Sequence, residues 1–174
     1  MGVGTDDVAR CPACGRPFGS GSMLPALPVG SVLALVGGLA LVTAYFMPWF
    51  AVQQLLLSGA FLAQFLSSPS DVQRFMPALA GNPSELRQLR MLIYLFPTAG
   101  GLATLLALWH GFRSGRPGWL SALLAASGAV PLVALLIGVN RLPPGATLEV
   151  GLWQIGIGAV AIVAGALVGW LFGR

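Results

Sequence analysis

Four stretches of this chain, residues 29–50, 91–112, 119–139 and 150–172, contain no Asp, Glu, Lys or Arg. Each is about 20 residues long, and an α-helix of that length, rising 1.5 Å per residue, crosses ~30 Å of hydrocarbon. A helix satisfies its backbone polar groups within its own segment, which is why helices and closed barrels alone span lipid. Charged residues make up 8% of the sequence and hydrophobic residues 56%, whereas a soluble domain carries about a quarter charged residues. Too few charges remain to cover a water-facing surface, so lipid has to cover it. The expected fold is an all-α membrane protein, a four-transmembrane-helix bundle with amphipathic helices in its first outer loop.

The polar segments organise the rest. Residues 1–28 form a Gly/Pro-containing tail, and 29–174 form the transmembrane domain. Between the first two spans, 51–66 reads as an interfacial helix. Leu55, Leu56, Gly59, Leu62, Ala63 and Leu66 share one face of a 3.6-residue wheel, while Gln53, Gln54, Ser58 and Gln64 share the other. A second short amphipathic helix is expected over 71–79, capped by Ser70. Asn82-Pro83-Ser84-Glu85 is a strong helix start: Asn caps, Pro fits the first turn, and Glu favours the free amides.

Trp49, Trp109, Trp119, Trp153 and Trp170 all fall near predicted span ends, as expected of headgroup anchors, and Arg87 and Arg90 stand where their guanidinium groups reach lipid phosphates. The loop after the second span carries Arg113 and Arg116, and the loop after the third carries Arg141. Arginine favours the cytoplasmic side of short loops, so both termini are expected in the cytoplasm and the chain in the inner, cytoplasmic membrane. None of the nine basic residues is lysine, and they lie singly or in pairs with no basic stripe, which argues against nucleic acid as a partner. The Ala- and Arg-rich composition suggests a bacterium of high genomic GC.

The only cysteines, Cys11 and Cys14, stand in Cys-Pro-Ala-Cys-Gly. This motif resembles the first half of a zinc ribbon. The resemblance covers about eight residues and implies two thiolates on one Zn at ~2.3 Å. The second Cys-x-x-Cys of a ribbon is missing. The single histidine, His110, at the predicted cytoplasmic end of the second span, is the candidate third ligand, and two chains pooling their cysteines would supply four.

Small residues recur every four positions. Gly30, Ala34 and Gly38 do so in the first span, and Ala161, Gly165 and Gly169 in the fourth. That spacing lines one helix side and lets backbones approach closely. The stripes serve either packing within the chain or docking to a second subunit, and the fourth span is the better docking candidate.

No predicted span holds an ionisable Asp, Glu, Lys or Arg, the residues that mark proton and ion pathways. No Ser-His-Asp set or His-Glu-x-x-His motif is present either. The expectation is a non-enzymatic accessory or scaffold subunit that contacts lipids and other membrane proteins or a second copy of itself. The alternatives are a small-molecule or lipid transporter or channel lined by Gln53, Gln54, Gln64 and Gln154, and a metal- or redox-responsive sensor.

Overall fold

The computed structural model describes residues 28–52, 55–75, 81–112, 118–140 and 147–172. The chain is predominantly helical, and three of its helices are long and apolar enough to cross a membrane.

Helix α1 spans Val29–Ala44 and starts from the extended Pro28, whose carbonyl accepts from the amides of Ser31 and Val32 at 2.8 and 3.1 Å. Its buried side, Gly30, Ser31, Ala34, Gly37, Gly38, Leu41 and Ala44, follows the helical period. With 16 residues it is about 24 Å long, short of the ~30 Å expected for 29–50. The helix stops early because Pro48 disfavours helical backbone at Met47. Tyr45, Phe46 and Met47 form a turn instead, their amides bonded to the carbonyls of Val42, Thr43 and Ala44.

Strands follow where a helix is expected. β1 (Pro48–Val52) pairs antiparallel with β2 (Leu55–Ser58), matching Phe50 to Leu57 and Ala51 to Leu56, with an irregularity between Pro48 and Phe50. The other edge of β1 receives β3 (Thr147–Leu148), giving the order β2-β1-β3. The interfacial helix expected over 51–66 is therefore corrected: only its second half is helical, as α2 (Gly59–Ser67). The Ser58 hydroxyl caps α2 by accepting from the Phe61 amide at 3.2 Å. Within α2 the expected apolar face is kept, with Gly59, Ala63 and Leu66 buried.

Helix α3 (Pro69–Phe75) begins one residue ahead of the expected Ser70 cap, which is itself helical, with Pro69 in the first helical position. The rest of the expected 71–79 helix lies outside the described residues. Helix α4 (Pro83–Phe112) starts where Asn-Pro-Ser-Glu predicts: the Asn82 carbonyl accepts from the Leu86 amide, and Ser84 donates to the Asn82 side chain at 2.7 Å. Its 30 residues make it about 45 Å long, so its first turns extend past the charge-free stretch and provide a wall for α2. Helix α5 (Gly118–Val139) and helix α6 (Val150–Phe172) coincide closely with the expected 119–139 and 150–172.

Helix α1 packs antiparallel on α6 and on α4, and α5 packs antiparallel on α6. Glycine sets the closest approaches. A Cβ on Gly37 would come within 2.5 Å of the Gly158 carbonyl oxygen, and one on Gly38 within 2.8 Å of the Gly100 carbonyl oxygen. At that separation only hydrogen fits between the backbones, and dispersion acts over the whole contact. The outward faces are the reverse of the interior: Val32, Val36, Leu105, Val133, Ile157 and Leu167 are all exposed. Continuous apolar surface of this extent matches a lipid exterior.

Candidate functional site

Chemistry-bearing side chains gather at the two ends of the packed helices. At the end carrying the hairpin, Trp49 is central. It is expected from its position to anchor in headgroups, yet it is only 5% exposed, and that expectation is corrected. Its indole donates a 2.8 Å hydrogen bond to the Ala44 carbonyl, and Phe96 meets the ring edge-on at 5.2 Å. Gly59 abuts the same ring, as does Gly151. The Trp49 carbonyl accepts from the Glu149 amide at 3.0 Å. An indole can leave the interface when its N–H finds an acceptor inside, and the last carbonyls of a helix, which keep a free lone pair, provide one. Trp109, Trp119, Trp153 and Trp170 stay exposed near helix ends.

Helix α2 packs on α4, and α3 borders with them an open cleft of about 850 Å³. Leu66, Val72 and Leu86 form its apolar side, and Gln73, Arg87 and Arg90 bring polar groups. Val72 is almost fully buried. A guanidinium nitrogen of Arg90 donates to the Leu66 carbonyl, the last turn of α2, tying α4 to the cap. Arg87 and Arg90, singled out from sequence as lipid-phosphate contacts, thus share one cleft wall.

At the opposite end, where the tail joins α1, His110 is 4% exposed. Its Nδ1 shares a 3.1 Å hydrogen bond with the Ser31 hydroxyl. Gly169 lies against the ring; a Cβ there would stand 3.5 Å from the imidazole Cε1. Ser31 is the residue sequence reading missed. A lone serine in the first turn of an apolar helix signals little until the partner helix is known to bring a histidine to it.

Cys11 and Cys14 lie outside the described residues. Among the described residues no three His, Cys, Asp or Glu side chains gather as a metal site. Within the described residues His110 makes a helix-to-helix hydrogen bond with Ser31.

The small-residue stripes meet each other. Gly30 faces Gly165 and Gly169, and Ala34 packs against Gly165. Ala34, Gly38 and Gly165 are buried, while Ala161 is half-buried. Of the glutamines, the Gln154 amide donates to the Ala40 carbonyl at 3.2 Å and to the Thr43 hydroxyl at 2.6 Å, Gln64 is exposed, and Gln53 and Gln54 lie outside the described residues.

No family model, no curated protein and no solved structure matches the chain.

Proposed function

We propose that this chain is a four-span, non-enzymatic protein of the bacterial inner membrane, with cytoplasmic termini, that serves as an accessory or scaffold subunit of a larger membrane assembly. In this reading α1 is the fourth span of the bundle, with Tyr45, Phe46 and Met47 making up the depth its 16 residues lack, or the bilayer thinning to meet it.

The distribution of surface supports it. Gly30, Ala34 and Gly165 are taken up between α1 and α6, and Gly38 against α4, which favours another surface for docking. The cap formed by β1, β2 and α2 instead presents Leu56 and Phe61 as exposed apolar side chains, on a platform pinned by Trp49. A structured cap with outward apolar side chains suits a partner subunit. The absence of Asp, Glu, Lys and Arg from the spans speaks against ion-coupled transport.

Extraction in mild detergent tests the reading. A particle larger than the single chain is expected, and Leu56→Arg or Phe61→Arg should release the partner while the chain keeps its helicity. A strictly monomeric particle, with no partner in wild type, would overturn it.

A further inference from the structure

The cleft between α2, α3 and α4 sets two cations over an apolar floor. Arg90 follows Leu86 by four residues and Arg87 by three, so each neighbours it on the surface of α4. Leu66 and Val72 face them from α2 and α3. Both acidic residues of this region, Asp71 and Glu85, are exposed and stand outside the lining. Among the described residues Arg87 has no ion pair, and Arg90 is held by the Leu66 carbonyl alone. The charge in the cleft is thus open to an anion, and the floor beside it to an apolar group. Arg90 immediately precedes the charge-free stretch that starts at Met91, which puts both guanidinium groups at the polar edge of the lipid-facing belt.

We propose that this cleft binds an anionic glycerophospholipid of the surrounding bilayer. The guanidinium groups of Arg87 and Arg90 hold its phosphate, and the first methylenes of its acyl chains lie on Leu66, Val72 and Leu86. Arginine suits the role because its planar fork matches phosphate geometry and stays charged at any physiological pH. The cleft volume falls within the range of small-ligand sites. The assignment rests on the membrane reading above and adds the lipid class to it.

Native mass spectrometry of the full-length chain, purified in detergent and titrated with mixed micelles of phosphatidylcholine and phosphatidylglycerol, tests the proposal. Wild type should retain phosphatidylglycerol in preference to phosphatidylcholine. Arg87→Gln leaves the Arg90–Leu66 bond in place and should lower that preference about fivefold, the weight of one arginine near an anionic surface. Arg74→Gln, outside the cleft lining, should leave it unchanged. Equal retention by wild type and Arg87→Gln overturns the site, as does an equal loss in Arg74→Gln. Melting-temperature protection by glycerol phosphate as large as that by phosphatidylglycerol would make the ligand a water-soluble phosphate and overturn the lipid assignment. A chain that stays monodisperse without any detergent defeats the membrane reading itself, a result distinct from all of these.

Discussion

The indole of Trp49 donates its hydrogen bond to the carbonyl of Ala44, five residues earlier and at the last position of α1. One side chain therefore closes the end of a helix and starts the hairpin that leaves it. Because the same ring is packed by Phe96, Gly59 and Gly151, it joins the cap to α4 and α6 as well.

Replacing this ring should loosen the cap. Trp49→Phe keeps most of the volume but removes the indole hydrogen bond to the Ala44 carbonyl, which retains only the Met47 amide, and should cost about 0.5–1.5 kcal/mol. Trp49→Ala should cost about 3–5 kcal/mol by opening a cavity. Thermal unfolding in detergent measures both. An exposed interface anchor would instead give nearly equal, small losses for the two variants.

Adjacent glycines in α4 should respond in opposite ways. A Cβ on Gly100 would come within 2.7 Å of the Gly38 carbonyl oxygen and of the Leu41 Cβ, whereas one on Gly101 meets nothing within 4 Å. Gly100→Ala should push α1 and α4 apart and destabilise by about 1–3 kcal/mol. Gly101→Ala should be neutral or stabilise by up to ~1 kcal/mol through helix propensity. Similar melting temperatures for the two variants would contradict the close contact of α1 with α4.

The Ser31–His110 pair should show up as coupling. Ser31→Ala and His110→Ala each remove one partner of a buried 3.1 Å hydrogen bond. The double variant should cost less than the sum of the two, with a coupling energy of about 0.5–3 kcal/mol. Strict additivity in denaturation would mean the hydrogen bond carries no weight.

Zinc content tests the cysteine pair apart from the helices. Two thiolates fill half of a tetrahedral shell, so metal is expected only where two tails combine, at about one zinc for two chains. Cys11→Ser should remove it. Equal zinc in wild type and variant would end the metal assignment.

The start of α4 at Asn82-Pro83 was legible because capping chemistry is local: the groups that satisfy one another lie within a turn. The hairpin at 48–58 was not. Leu55, Leu56, Gly59, Leu62, Ala63 and Leu66 fit one helical face as a matter of spacing, but β1 draws hydrogen bonds from Thr147 and Leu148, which no local pattern announces. The cleft was half legible: Arg87 and Arg90 stood out as phosphate contacts, while the opposite wall from Leu66 and Val72 came from helices whose packing angle a sequence does not display.

By itself the sequence determined that this chain belongs in lipid and is mainly helical, because transfer of charge-free apolar stretches out of water is close to a sum over residues and needs no knowledge of their neighbours. The tertiary structure alone decided that Trp49 is a core plug, that the glycines of α1 are spent on α4 and α6, and that two arginines share a cleft. Each of those depends on which distant surface arrives at contact distance, and at that range packing and hydrogen bonding act between particular partners rather than between residue types.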